Sequence, residues 1–256
     1  MYKYSQNNLK DKNLVRTLVS ESSISSEDIV LDIGAGDGII TQELVKVCKK
    51  VIAIEIDPIL CKKLRKKFRQ YDNVRIVETD FLGYKLPERL FKVFSNIPYF
   101  ITSDIVRKLT GEGSKMTEAY VVMQKEAADK FCGKPKECLF SILIKPFYEL
   151  RQTYDFKKTD FYPVPSVESV LVRISRRNSP LINFDEIDNF RQFIGFCFKR
   201  TFGPLRKSLK KFLTYNQIKK LYDYHGIKRD AIPTDLTIEQ WLGLFRFWRS
   251  VECNGS

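Results

Sequence analysis

The chain has 256 residues and is 43% apolar, which suffices for one sizeable α/β domain with a smaller appendage and argues against a disordered polypeptide. Its 44 Lys and Arg against 31 Asp and Glu leave a net charge of +13, pointing to a polyanionic partner, nucleic acid ahead of an anionic membrane surface. Six scattered cysteines without a C-x-x-C pair, together with a single histidine, His225, speak against a disulfide framework, a metal site and most Ser-His or Cys-His mechanisms.

The cysteines therefore read as reduced, buried, small apolar residues and His225 as a surface residue. Met1 to Asn13 is polar, and the apolar runs Val51 to Ile56 and Leu139 to Ile144 are too short to span a bilayer. The expectation is a cytoplasmic monomer without membrane contact or metal.

Gln6-Asn7-Asn8-Leu9 precede a helical pattern in Leu14, Val15, Leu18 and Val19, either as an arm that folds over a ligand or as a plain helix lead-in. The run Ile29 to Ile33 predicts a buried strand, followed by the loop Gly34-Ala35-Gly36-Asp37-Gly38 and a helix from about Ile39 to Cys48. Glycines permit a tight turn and close approach of the backbone to a ligand. The helix amino end offers free N–H groups. A second strand, Val51 to Glu55, ends in an acid 17 residues beyond Gly38, the placement that binds paired ribose hydroxyls.

The G-x-G-x-G spacing departs from the dinucleotide fingerprint G-x-G-x-x-G, so a pyrophosphate cradle is less favoured than a nucleoside site. Pro58 to Arg69 predicts a helix with a basic face, read as solvated. Val74 to Val77 predicts a third strand, closing at Thr79-Asp80, where Asp80 either accepts from an adenine amine or caps a helix. A fourth strand, Phe91 to Ser95, delivers Asn96-Ile97-Pro98-Tyr99-Phe100 to the same sheet edge. Pro98 holds Ile97 out of helical geometry, leaving its carbonyl free to accept. With the Asn96 oxygen beside it and Tyr99 to stack, this stretch is equipped to grip an adenine N6, although an ordinary turn also uses Asn and Pro.

Taken in order, Gln6-Asn7, Asp32 to Gly38, Glu55, Asp80 and Asn96 to Tyr99 resemble the ribosomal RNA adenine N6-methyltransferases. The resemblance runs from Gln6 to about Arg176. It implies a Rossmann-like α/β fold, S-adenosyl-L-methionine as cofactor and an rRNA adenine as substrate. By the same token Asn7, Leu9, Gly34, Gly36, Glu55, Asp80 and Asn96 hold the cofactor, while Asn96, Ile97, Pro98 and Tyr99 take the base. Two branches are known. Erm enzymes dimethylate an adenine of 23S rRNA and confer resistance to macrolides, lincosamides and streptogramin B; KsgA-type enzymes dimethylate adjacent adenines of small-subunit rRNA. Ile97 looks more like the Erm branch, the other carrying Leu there. Phe161-Tyr162-Pro163-Val164-Pro165-Ser166-Val167-Glu168-Ser169 resembles the family segment F-x-P-x-P-x-V-x-S, which implies that Phe161 stacks on the target base opposite Tyr99. Without the family, Phe161 reads as a loop-anchoring core aromatic.

A helix near Asp104 to Leu109, strands at Ala119 to Met123 and Val170 to Ile174, and a helix from Lys125 complete the first domain, residues 1–176. Residues 177–256 turn to helical periodicity and carry 14 Lys and Arg against 8 acids, predicting a helical RNA-binding domain. Arg206, Lys207, Lys210 and Lys211 are placed to clamp phosphates or form a solvated face. Asn8 stands where many Erm proteins have Phe, Phe100 where Asn or His is usual, and Asp32 where Glu is common. Competing readings are a small-subunit rRNA dimethylase, a non-catalytic RNA-binding factor on the same fold, and an NAD-dependent oxidoreductase, the last opposed by the glycine spacing.

Overall fold

The computed structural model describes residues 7–199 and 203–254, so the expectation on Gln6 falls outside it. In chain order the main elements are β1 (Asn8–Leu9), α1 (Lys12–Ser20), β2 (Ile29–Ile33), α2 (Ile39–Leu44), β3 (Lys50–Glu55), α3 (Pro58–Lys67), β4 (Val74–Glu78), β5 (Phe91–Asn96), α4 (Thr102–Thr110), β6 (Met116–Gln124), α5 (Lys125–Cys132), α6 (Leu139–Ile144), β7 (Tyr148–Phe156), β8 (Phe161–Tyr162), β9 (Ser169–Arg176), α7 (Ile187–Lys199), α8 (Arg206–Leu209), α9 (Tyr215–His225) and α10 (Ile238–Asn254). They fall into two compact units, Met1–Ala128 with Leu150–Arg176, and Asp129–Glu149 with Arg177–Ser256.

In the first unit, seven strands order as β4-β3-β2-β5-β6-β9-β7. β2 pairs in parallel with β3 and β5, β3 with β4, and β5 with β6, while β9 returns antiparallel to β6. Val30, Leu31, Val51, Ala53, Val93 and Phe94 are fully buried, which explains why these strands read as continuous apolar runs rather than alternating ones. The strand order reverses between β2 and β5, and in such sheets the crevice at the carboxyl ends of the reversing strands is where ligands bind. Ser95 ties the two strands at that point, its hydroxyl accepting from the Ile33 N–H at 2.7 Å. α1 begins where Asp11 accepts from the N–H groups of Asn13 and Leu14, and it buries Val15, Leu18 and Val19, the stripe its spacing predicts. α2 is shorter than its pattern suggests. Beyond Leu44 the chain tightens, with Lys46 and Val47 donating to carbonyls three residues back.

The second unit is helical apart from the start of β7, and its core is aromatic. Phe193 of α7 stacks on Trp248 at 5.0 Å and meets Trp241 edge-on, while Phe190 meets Phe245 edge-on, pinning α7 to α10. The sequence reading assigned 1–176 to the first domain and only 177–256 to this unit; the structure moves Asp129–Glu149 into it. The physical reason is α6, whose Ile142 is fully buried in the α7–α10 core with Leu143 and Phe147 packed against it. A six-residue helix capped by Cys138 and Ser141 offers too little periodicity to be assigned from sequence. His225 also differs from expectation. It is half-buried, and its ring lies so close to Gly243 of α10 that a Cβ there would meet it at 2.2 Å.

Among the described residues, no helix is long and apolar enough to cross a membrane, and no group of three or more His, Cys, Asp or Glu is arranged to hold a metal ion.

Candidate active site

The glycine loop leaves β2 and is stitched to β3, with the N–H groups of Gly34 and Ala35 both donating to the Ile54 carbonyl at 2.8 and 3.1 Å. Gly34 and Gly36 adopt φ of 69° and 55°, the left-handed region that L side chains avoid. Gly38 has a second reason to be glycine: with φ at 74°, a Cβ there would meet Leu64 at 2.7 Å and Phe68 at 2.8 Å, so its bareness lets α3 pack against the start of α2. Glu55 ends β3 in a buried position, and its carboxylate accepts from the N–H groups of Gly36, Ile56 and Asp57 at 2.9, 2.8 and 3.0 Å. Behind the loop, buried Asp32 accepts from the Thr41 hydroxyl at 2.6 Å, tying β2 to α2. Burial pushes its carboxyl up to about 7; the Thr41 bond opposes this and the neighbouring Glu55 charge adds to it.

A cavity of about 110 Å³ opens beside Glu55. Of the cofactor residues the sequence suggests, Gly34, Glu55 and Asp80 line it and Asn7, Leu9, Gly36 and Asn96 do not; Pro98, expected at the target base, lines it too, and Ile56, Phe81, Leu82 and Phe100 supply apolar walls absent from the sequence expectation. Phe100 is 69% exposed at the mouth of this cavity. A signal was present: large apolar residues follow directly on the acid that ends β3 and the acid just past β4, in Glu55-Ile56 and Asp80-Phe81-Leu82. Asp80 uses one carboxylate oxygen to accept from the Leu82 N–H at 2.9 Å, holding the turn that presents it. Carboxylates on adjacent strand ends with apolar walls between them suit a nucleoside, whose sugar and amine donate while its ring wants a greasy slot.

Asn96 stands at the end of β5. Its Nδ2 donates to the Asn7 carbonyl at 2.8 Å, which draws the amino-terminal arm over the loop and fixes the amide orientation, since only the NH₂ can donate. Its Oδ1 is thereby left buried with no hydrogen-bond partner. An orphaned buried acceptor costs about 1–3 kcal/mol and fits a donor that arrives with substrate. Ile97 is 2% exposed and anchors the loop in the core. Pro98 opens a short 3₁₀ turn, Tyr99–Ile101, and the Tyr99 hydroxyl shares a hydrogen bond with Ser169 Oγ at 2.7 Å. Burial pushes the Tyr99 phenol up from its ordinary value, and the Ser169 bond opposes it.

Two expectations need correction. Phe161 is fully buried, edge-on to Phe156 at 5.4 Å and paired with Leu9 in the two-stranded β1–β8 ribbon. It offers no face to a base, because strand alternation turns Phe161 inward and Tyr162, 74% exposed, outward. It is the anchoring core aromatic. Leu9 is likewise buried in that core, so its side chain does not reach the cavity. Of the basic residues, Arg206, Lys207 and Lys210 line one concavity of the helical unit, whereas Lys211 sits over the Phe196 ring at 4.6 Å.

The family model for ribosomal RNA adenine dimethylase matches residues 2–249. A ribosomal RNA small subunit methyltransferase A from Thermotoga petrophila is 32% identical over 251 residues, 96% of this chain and 91% of that protein. An rRNA adenine N-6-methyltransferase from Bacteroides fragilis is 32% identical over 236 residues, 92% of this chain and 88% of that protein. Among solved structures, the 23S rRNA methyltransferase ErmE superposes with a TM-score of 0.88 at 29% identity, covering 95% of this chain and all 100% of that one. A dimethyladenosine transferase from Plasmodium falciparum shares the fold with a TM-score of 0.76 at 24% identity, covering 94% and 97%. The α/β sheet agrees with these findings, and the chain belongs to the ribosomal RNA adenine dimethylase family, S-adenosylmethionine-dependent methyltransferases of rRNA adenine.

Proposed function

We propose that the protein dimethylates N6 of an adenine in 23S rRNA and so protects the ribosome from macrolides, lincosamides and streptogramin B. The observation that carries the 23S assignment is the similarity to the ErmE structure, which covers 95% of this chain and all of that one at 29% identity. A second reading, methylation of small-subunit rRNA, is favoured by the 32% identity to the Thermotoga protein. Ile97, the sequence mark of the Erm branch, has its side chain in the core. It therefore cannot read RNA itself, and discrimination between the two rRNAs falls to exposed surfaces.

In this reading Glu55 would accept from the cofactor ribose and Asp80 from its adenine amine, with the Gly34 and Gly36 backbone, the Asn7 arm, Pro98 and Phe100 helping to hold it. The cofactor supplies an activated methyl on a sulfonium sulfur. The amine of the target adenine is a weak nucleophile because its lone pair is delocalised into the ring. Asn96 Oδ1 and the Ile97 carbonyl accept its two N–H groups, favouring tetrahedral character at nitrogen and holding it in line for attack. The base leaves its stack to reach them, and the Tyr99 ring receives it. The proton departs to water after transfer, so no strong base is required.

The test incubates the protein with labelled cofactor and, separately, protein-free 23S and 16S rRNA, and maps the methylated nucleotide. We expect dimethyladenine in 23S rRNA and erythromycin protection of a sensitive bacterium that expresses the protein. Label confined to 16S rRNA overturns the assignment in favour of the second reading.

A further inference from the structure

The helical unit holds a concavity of about 310 Å³, in the range of small-ligand pockets, formed by α8, α9 and the segment after α9. Arg206, Lys207, Lys210, Lys219 and Arg229 line it against a single carboxylate, Asp223. None of the five cations forms a salt bridge with a described residue, although the unit carries acids elsewhere that do pair, such as Asp235 with Lys136. Like charges gathered in a concave wall repel one another and are retained where an anion offsets them; the low-dielectric wall focuses their field on that anion. Tyr215, 69% exposed, stands on the same rim. On the inner side is Tyr222, whose buried hydroxyl lies beside the Arg206 main-chain N–H. Burial pushes that phenol up to about 12, so it remains a donor at neutral pH.

We propose that this concavity seats one nucleotide of a single-stranded RNA segment, its phosphates held by the five cations and its base stacked on Tyr215. The inference rests on the reading of rRNA as substrate and adds a second point of grip, made within the helical unit alone. Cations specify the phosphate and an exposed aromatic specifies the base, the pairing that single-strand binders use. The exposed large apolar side chains of α9 are Tyr215 and Tyr224, ring platforms rather than the aliphatic chains that would enter a bilayer. Lys211, engaged with Phe196, is not part of the seat.

The test measures binding of a labelled single-stranded oligoribonucleotide to the full chain across a salt series. The variants are R206A/K210A/R229A, Tyr215→Ala, Tyr215→Phe and, as a control, Lys220→Ala, an exposed neighbour that does not line the seat. All these side chains are exposed, so the fold survives, with cofactor calorimetry as the check. The triple variant should flatten the salt slope by about 0.7 for each phosphate that is no longer neutralised. Tyr215→Ala should weaken binding about 5- to 150-fold at unchanged slope, with Tyr215→Phe near wild type. Triple and Tyr215→Ala variants indistinguishable from Lys220→Ala overturn the proposal. So does displacement of the oligonucleotide by an equal concentration of AMP, which makes this a free-nucleotide site. A protein that methylates neither rRNA yet loses oligonucleotide binding in these variants keeps the seat and removes the proposed dimethylation of 23S rRNA.

Discussion

The sheet cleft and the basic concavity of the helical unit offer polar groups in opposite ways. In the cleft four polar side chains have protein partners before a ligand arrives: Glu55 three backbone N–H groups, Asp32 the Thr41 hydroxyl, Asn96 the Asn7 carbonyl, Tyr99 the Ser169 hydroxyl. In the concavity the cations are exposed and unpaired, on long side chains that settle only when an anion is present. Chemistry on a poor nucleophile needs the first arrangement, because reacting atoms must be held within a fraction of an ångström. Grip on a flexible polyanion is served by the second, where many weak, adjustable interactions add up.

The contrast can be broken by pH. Asp32 keeps its proton in the folded chain up to about pH 7, whereas an unfolded aspartic acid gives it up near its ordinary value. The folded state therefore binds more protons between roughly pH 4 and 7, so this group's contribution is full below that window and is lost as pH rises through it. The loss is at most about 4 kcal/mol, less if the folded chain relaxes around the charge. Urea unfolding of wild type and Asp32→Asn across the window should show the wild-type advantage shrinking with rising pH and the Asn variant lacking that trend. Parallel curves would mean that Asp32 is ionised in place.

A sharper cut, of about 3 kcal/mol, concerns Asn96. Asn96→Ala removes the orphaned acceptor together with the tie to Asn7, and should lower kcat about 10²- to 10³-fold, the scale of losing one fixed polar group at a reacting centre. Variants of the concavity should instead change the salt dependence of RNA affinity and leave kcat at saturating RNA close to wild type. If Asn96→Ala turns over normally, the acceptor role is wrong.

The same contrast explains what the sequence could disclose. Glu55 and Asp80 stand out in the sequence because each lies at or just beyond the carboxyl end of an apolar run, and strand order brings both to one cavity; Asn96 likewise ends β5 but does not line that cavity. Phe161 was misjudged for the opposite reason: its orientation depends on a two-residue ribbon with β1, a pairing about 150 residues away in sequence that no local period reveals. Segment 129–149 was misplaced because α6 is too short to show a stripe, and only its long-range packing under α7 assigns it. The basic seat was half visible. Arg206, Lys207 and Lys210 stood out as a cluster, but Lys219, Arg229 and Tyr215 join them only through the turn between α8 and α9 and the one after α9.

The smallest expected effect tests whether the cleft is as rigid as its hydrogen bonds suggest. The Tyr99 ring, proposed above to receive the base, is tied by its hydroxyl to Ser169, the last residue of the proline-bounded segment after Phe161. Were stacking all that mattered, Tyr99→Phe would be silent and only Tyr99→Ala would lose the ring, about 5- to 150-fold in kcat/KM. The bond adds a second requirement. Removing either partner leaves the other polar group buried and loosens the ring, so Tyr99→Phe and Ser169→Ala should each lose about 2- to 12-fold in kcat/KM, the worth of one net hydrogen bond, at unchanged cofactor affinity. Because both act through one bond, the double variant should lose little more than either single one, leaving a coupling of about 1 kcal/mol in the cycle. A merely structural serine would give losses that add, and would lower the unfolding midpoint without touching kcat/KM once the protein is folded. Measuring methyl transfer to an rRNA hairpin for all four proteins distinguishes the cases: additive losses separate Ser169 from the ring, and a silent Tyr99→Phe returns the residue to stacking alone.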